Sequence, residues 1–530
     1  MEAVILGFGP VIGSREVAIV DANSEALGVP RLLLMENAGR AVAEAVAART
    51  RPGAMVVVYA GPGGNGGDGL AAARHLAFTG RRVVVYLVSP AGAPKSPEAK
   101  AMFEALLRMD YSVSLHVVKG CEVPPVPEGA EAVVDALLGV GIRGAPRPPY
   151  REAIRAINES NALRVAVDVP SGLDADTGEA PGDVVRADVT VTLHKPKPGL
   201  LKRRDLAGEI IVASIGVPPE AEVYVGPGDV AHRLPHRGWE TRKGRAGRVL
   251  IVGGSEDFTG APLLAAMAAE AAGVDLVYIA STPNVASAAA SKPTLIPVRL
   301  EGHPRLHPDH VDRVKRWIDR ADAVAIGMGL GSPSEVADAV AELVSYARER
   351  GKPVVVDADA LKAAAQRPEI LEGPGVLATP HDREFEIVFG EEPPPVTCIT
   401  ERVNAAARAA RGRRGLTILL KGPVDVVTDG ARARLNKTGA PSMSVGGTGD
   451  TLAGVAAALL AKKLPVFDAA ALAAYINGAA GALAYREKGD SATTLDLIAR
   501  IPEVIHEPEK RAREHTVYER LPLFSSCSRD

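Results

Sequence analysis

Short, apolar, β-branched runs alternate with alanine-rich stretches along almost the whole chain, and few folds accept that pattern. In the first half the runs are Met55–Ala60, Val83–Val88, Ala132–Asp135, Leu163–Val169 and Val189–Leu193. In the second they are Val249–Val252, Val324–Gly327, Val354–Asp357 and Thr417–Leu420. Runs this short, apolar on both faces, read as strands covered by helices on either side, hence a parallel sheet. The stretches Leu32–Arg49, Gly69–Thr79, Pro262–Ala272, Pro333–Arg350 and Leu452–Ala461 supply the helices. The expected class is α/β.

A chain of 530 residues exceeds what one hydrophobic core accommodates. The alternation restarts after the basic, Pro/Gly-bearing stretch Pro227–Lys243, so we expect a first domain over 1–228, a second over 229–510 and a fraying tail over 511–530. The halves share no motif, which indicates fusion rather than repeat. A net charge of -3 argues against nucleic acid and anionic membranes as partners. No run reads as a signal peptide or bilayer span. Cys121, Cys398 and Cys527 lie far apart, so neither a disulfide framework nor a zinc site is expected, and a cytoplasmic location fits. A homo-oligomer acting on small molecules is expected.

In the first half the richest segment is Gly61–Gly80, a glycine-rich turn between a strand and a helix. Glycines let backbone N–H groups approach a ligand, and a helix N-terminus favours phosphate. The order matches neither the dinucleotide G-x-G-x-x-G nor a Walker A loop, and such a turn also occurs without a ligand. Three further strand ends fall on the same edge of a parallel sheet. They carry Asp135, then Asp168 with Ser171, then Lys195. Ligands of open α/β sheets bind at that edge. Asp168 is the expected acid/base group with Lys195 as its partner, although Asp168 could merely cap a loop and Lys195 could be a solvated surface lysine.

These segments, LMENAG (Leu34–Gly39), GNGGDGL, DALLGVGIRG, AVDVPSGLDADTG and TVTLHKPKPGL, resemble the epimerase domain of the NAD(P)H-hydrate repair family. The resemblance implies a Rossmann-like three-layer fold. It also implies that Gly64, Asn65, Gly66, Gly67 and Asp68, together with Gly139, Val140, Gly141, Ile142, Arg143, Gly144 and Ala145, wrap the substrate, with Tyr150 and Asp168 in contact. Asn65, Asp135 and Ser171 would offer oxygens to potassium, a sensible donor set for a hard cation. The family usually has two adjacent asparagines where Gly64 and Asn65 stand.

In the second half, SVGGTGDTLAGVAAALLA (Ser444–Ala461) places Gly446, Gly447 and Gly449 before an alanine-rich helix, with Asp450 in its first turn. Such N–H groups can hold a moving phosphoryl group, and the carboxylate can take a proton from an acceptor hydroxyl. A lone aspartate there could simply favour the helix dipole, but that leaves the glycines unexplained. The arrangement is similar to the ribokinase-like kinases. Together with VVVDADAL, ATPHDREF, ILLKGPVDVV and NKTGAPSMSVGGTGD it resembles the dehydratase domain of the same repair family. That implies Ala261, Gly329, His381 and Asp450 against the hydrated coenzyme. It implies Lys421, Gly422, Pro423, Val424, Asp425 and Gly449 around ADP, with Mg²⁺. The ordinary alternatives are helix packing for Ala261, a loop cap for His381 and a surface position for Lys421.

The implied activity is repair of hydrated NADH and NADPH. One domain epimerises the R and S hydrates, and the other dehydrates the S form while ADP goes to AMP and phosphate. Two rivals remain: a ribokinase-type kinase of a small alcohol, and an N-terminal half that only binds nucleotide or recruits a partner.

Overall fold

The computed structural model of the chain describes residues 4–235, 237–239, 242 and 244–516. The described residues form two compact units. One is Phe8–Ala221; the other combines the stretch up to Gly7 with everything from Glu222 onward. The division precedes residue 228 because the supposed linker contributes to the second unit. Pro227–Arg233 is a helix, and its buried Asp229 accepts two hydrogen bonds from the Arg434 guanidinium at 3.0 and 2.9 Å. A charge pair this dry loses several kcal/mol if one partner is removed.

In the first unit seven strands form one parallel sheet, ordered Val113–Val118, Arg82–Val88, Met55–Ala60, Ala130–Ala136, Leu163–Val167, Val189–Leu193, Glu209–Ala213. The direction of winding reverses between Met55–Ala60 and Ala130–Ala136. Alternate residues of one strand feed opposite faces. Val56, Val58 and Ala60 pack with the helices Arg31–Ala47 and Gly64–Phe78. Val57 and Tyr59 pack with Ile154 and Ile157 of the helix Tyr150–Glu159. Covering both faces explains why the strands read as continuous apolar runs.

The second unit holds a ten-stranded sheet, ordered Ile5–Leu6, Arg432–Asn436, Asp425–Thr428, Thr417–Leu420, Val376–Ala378, Val354–Val356, Ala323–Ile326, Arg248–Val252, Leu276–Ser281, Leu295–Arg299. Only the pairings of Asp425–Thr428 with its two neighbours are antiparallel. The N-terminal strand joins this sheet, with Ile5 beside Arg432 and Leu6 beside Ala433. Sequence reading assigned those residues to the first domain. Two backbone hydrogen bonds, Ile5 N–H to the Ala431 carbonyl and Gly7 N–H to the Ala433 carbonyl, account for the difference.

One helix, Val466–Lys488, is long and apolar enough to cross a bilayer, contrary to expectation. Because 89% of the apolar window is buried in the fold, it is a core helix. Cys398 is disulfide-bonded, a single link rather than a framework; Cys527 lies outside the described residues. So does most of the expected tail.

Candidate active sites

The first site opens at the winding reversal. Gly61 N–H donates to the Ala136 carbonyl at 2.9 Å, locking the turn after one strand to the end of the next. A Cβ on Gly61 would lie 1.9 Å from the Leu137 carbonyl oxygen, and one on Gly66 would lie 1.8 Å from the Gly61 oxygen. These glycines therefore serve close backbone approach. The helix begins at Gly64, five residues before the expected start, so the motif is the first turn of the helix itself. A cavity of about 340 Å³ lies above it, lined by Gly64, Asn65, Asp68, Gly139, Val140 and Asp168 among the expected residues.

Other expected residues stand back from it. Gly66 and Gly67 are buried packing positions. Arg143 donates to Asp174 and Asp176, both at 2.8 Å, and braces its loop. Gly141, Ile142, Gly144, Ala145 and Tyr150 do not line the cavity. The lysine that meets Asp168 is Lys197, not Lys195. Lys197 is 1% exposed and ion-pairs with Asp168, while Lys195 reaches the Phe8 carbonyl at 3.5 Å. The proline between them, Pro196, separates two lysines that sequence alone presents as equivalent. Leu193 N–H also donates to Asp168 at 2.9 Å.

Asp168 and His194 both sit in the left-handed region, at φ +65° and +64°, and both line the cavity. Strain of this kind in non-glycine residues costs about 1–3 kcal/mol and collects at functional sites. Sequence reading missed Asp21, Arg31, His194 and Lys197. Only the positions of His194 and Lys197 just past a buried strand could have signalled them. Burial raises the Asp21 carboxyl to about 6, against the pull of Arg31. Burial, reinforced by the charges of Asp168 and Asp21, pushes Asp68 well above the usual carboxylate range.

Beside the cavity, the fully buried Asp135 accepts from the Ser171 hydroxyl at 2.6 Å and the Ser171 N–H at 2.8 Å. Asn65 Nδ2 donates to the Leu138 carbonyl at 3.1 Å, and Leu138 N–H donates to Ser171 Oγ at 2.9 Å. The three expected potassium ligands thus converge on one loop. Burial raises Asp135 to about 6, opposed by the Ser171 hydrogen bonds. Its hydrogen-bond donors, Ser171 and Leu137, are all neutral. A buried carboxylate so surrounded, with hydroxyl, amide and carbonyl oxygens nearby, fits a hard monovalent cation.

The second site is built on the helix Thr448–Ala461. Gly447 caps it at φ +98°, a conformation suited to glycine. Asn477 Nδ2 donates to the Thr448 carbonyl at 3.2 Å, and Thr494 Oγ1 to the Gly446 carbonyl at 3.0 Å, so two other helices hold the turn. Next to it lies a cavity of about 640 Å³ lined by His381, Lys421, Gly422, Pro423, Asp425 and Gly449. Val424, in the bend before the strand Asp425–Thr428, is fully buried in the core instead.

Lys421 Nζ lies 3.0 Å from Asp357 and 3.7 Å from Glu384. Burial alone would lower its pKa, yet Asp357 and Glu384 hold it above the usual lysine value. Burial, with Asp357 close by, raises Asp450 to about 7 even though Lys421 pulls the other way. The sequence reading overlooked Asp357, Asp359 and Glu384. The first two follow directly on the strand Val354–Val356, a strand-end signal that was available. Ala358 between them has φ +50°.

His381 caps the helix Asp382–Phe389, its Nδ1 accepting from Glu384 N–H at 3.3 Å, and it also lines the cavity. Ala261 and Gly329 lie elsewhere, at this sheet's own winding reversal. A Cβ on Gly329 would be 3.6 Å from that of Ala261 and 3.0 Å from that of Phe258.

Two α/β units, each with a ligand-sized cavity at the carboxyl ends of parallel strands, define a two-site enzyme whose second half has the ribokinase-like glycine turn. The family described as NAD(P)H-hydrate dehydratase matches residues 249–503, and that described as YjeF-related protein N-terminus matches residues 31–199. The chain is 56% identical over 521 residues to the bifunctional NAD(P)H-hydrate repair enzyme Nnr of Hyperthermus butylicus, covering 98% of this chain and 96% of that one. It is 46% identical over 505 residues to the enzyme of the same name from Pyrobaculum aerophilum, covering 93% and 98%. A Bacillus subtilis ADP/ATP-dependent NAD(P)H-hydrate dehydratase, co-crystallised with ATP/Mg²⁺, is 26% identical with a TM-score of 0.43, covering 53% of this chain and 98% of that one. The chain belongs to the bifunctional NAD(P)H-hydrate repair enzyme family.

Proposed function

We propose that the chain repairs hydrated NADH and NADPH, epimerising the hydrates in the first unit and dehydrating the S hydrate in the second at the expense of ADP. The observation that carries the reading is the glycine turn that opens the helix bearing Asp450, with Lys421 Nζ 3.4 Å from where a Cβ on Gly449 would lie.

In the first unit Asp168 is the acid/base group. The substrate hydroxyl sits on a carbon next to the ring nitrogen, whose lone pair can expel it. Asp168 protonates the departing oxygen and takes a proton from the water that returns on the other face. Lys197, in direct contact with the Asp168 carboxyl, holds it in position. Asn65, Asp135 and Ser171 would hold potassium, which would fix the substrate-facing loop by charge.

In the second unit the N–H groups of the glycine turn receive the phosphoryl group transferred from ADP. Asp450 takes the proton of the attacking substrate hydroxyl, and Lys421 balances the charge that builds up. The bond from that carbon to its new phosphate then breaks, the ring nitrogen supplying the electrons, and loss of a neighbouring proton restores the reduced ring. Mg²⁺, when bound, would supply charge neutralisation on the phosphates. Asp357 and Glu384, which flank Lys421, would hold the ion, directly or through water. Val424 has no side-chain role in this reading.

Incubation of the full chain with chemically hydrated NADH and ADP tests both halves. Return of reduced-nicotinamide absorbance with one phosphate per turnover is expected. Accumulation of a stable phosphorylated alcohol would instead favour a kinase.

A further inference from the structure

We propose that Arg402, which does not itself line the second cavity, is a positioning residue that sets the affinity for ADP by clamping two loops of that cavity from their buried side. The inference rests on the reading of this cavity as the ADP site. Its own ground is one juxtaposition, a buried guanidinium packed directly beneath the Lys421–Gly422 turn.

Arg402 lies in the first turn of the helix Ile399–Arg411, where its N–H donates to the Cys398 carbonyl at 2.9 Å. It is 1% exposed. Nη1 donates to the Pro394 carbonyl at 2.9 Å. Nη2 donates to the Lys421 carbonyl at 3.1 Å and to the Asp382 carboxylate. Three separate loops thus meet on one planar group.

Two of these acceptors belong to the cavity wall. Asp382 and Lys421 follow the neighbouring parallel strands Val376–Ala378 and Thr417–Leu420, and both line the cavity. Lys421 N–H donates to the Pro380 carbonyl at 2.8 Å, so the backbone already joins the two strand ends. Arg402 joins them a second time. The closest approach is to Gly422, where a Cβ would lie 3.1 Å from Nη2. Gly422 N–H in turn donates to Asp425 Oδ1 at 3.0 Å, which carries the constraint to the next cavity residue.

Filling this space does not require a charge. Burying a guanidinium is unfavourable, and the side chain of its carboxylate partner Asp382 is 58% exposed, so the ion pair offsets only part of the desolvation. A methionine would occupy similar volume without that burden. What arginine alone supplies is a rigid fork of donors that holds several acceptors in one geometry. The geometry held is that of the Lys421–Asp425 loop. Asp450 stands on the helix Thr448–Ala461, which none of these bonds reaches. Loosening the clamp should therefore weaken nucleotide binding before it slows the chemistry.

The test uses the full-length protein, with ADP binding measured by calorimetry beside steady-state dehydration. Arg402→Met should raise the Kd and the KM for ADP by about tenfold or more, with kcat at saturating ADP within about fivefold and epimerisation unchanged. Arg402→Lys keeps the charge, loses the fork and should fall between; it carries the comparison if Arg402→Met does not fold. In Arg402→Gly, millimolar guanidinium should restore ADP affinity and ammonium should not. Gly422→Ala should weaken ADP binding less in the Arg402→Lys background than in wild type, because the two side chains share one contact. A Kd within about twofold of wild type in the arginine variants, or a fall in kcat as large as the rise in Kd, would overturn the role. Wild type that binds ADP while the variants match it would sink this inference alone; wild type that binds no adenine nucleotide would sink the ADP reading with it.

Discussion

The two units wind their sheets in the same way yet place their chemistry differently. In both, the first strand after the boundary lies centrally, the next two add to one side, and the chain then crosses to the other. In the first unit the cavity sits at this crossing, with Gly64 on one side and Gly139 on the other. In the second the crossing carries Ala261 and Gly329, while the larger cavity lies farther along the edge, against the helix Thr448–Ala461. One ligand needs one crevice; a reaction that brings together a coenzyme and a phosphate donor needs room for two. The lesson is that shared topology sets where a site can be, and the added helix decides what it can do.

The strongest way to break this comparison is to exchange the two carboxylates' roles by mutation. Asp450→Asn should lower dehydration by a factor on the order of 10²–10⁴ and leave epimerisation intact. Asp168→Asn should do the reverse. An epimerisation assay followed by proton NMR, beside the absorbance assay, separates them; loss of both activities in either variant would contradict two independent sites.

Next comes the buried lysine. Lys197→Met leaves the Asp168 charge unpaired and should cost about 3–5 kcal/mol in denaturant unfolding of the first unit. Lys195→Met should stay within about 0.5 kcal/mol. Equal losses would erase the distinction drawn between them.

Glycines sharpen the picture at similar or smaller cost. Gly66→Ala drives a methyl into backbone and should destabilise by about 2–4 kcal/mol. Gly64→Ala, whose Cβ would meet open space, should cost below about 1 kcal/mol and show its effect in substrate affinity. Comparable melting points would mean the turn is not packed as described.

The last prediction concerns pH. The folded pKa of Asp450 is raised to about 7 from 3.8, so the carboxyl favours folding only while protonated. That contribution is complete below about pH 4 and is lost as pH rises towards 7. Asp450→Asn does not titrate, and should therefore be more stable than wild type at pH 8 by something on the order of 2 kcal/mol, with the gap closing towards pH 4. A constant gap across that range would remove Asp450 from the buried charge cluster.

Much of the fold was legible because two-sided burial writes itself into strands as unbroken apolar runs. The strand ends also showed where Asp135, Asp168 and Lys421 would emerge. Less legible were side chains delivered by helices far away in sequence. Asp21 reaches the first cavity from the helix Ser14–Ala26, and nothing near it in sequence marks it. Val424 and Asp425 are neighbours in one motif, but at the turn into the strand one packs into the core and the other lines the cavity.

By itself the chain's order of residues determined the class of fold, the presence of two units and the glycine turns that open each site, since these depend on periodicity and local backbone sterics. Only the tertiary structure decided that Lys197 rather than Lys195 meets Asp168, that Ile5 and Leu6 complete the second sheet, and that Lys421 answers Asp357. Pairings of that sort are settled by distance and desolvation between segments up to hundreds of residues apart, quantities that no local pattern encodes.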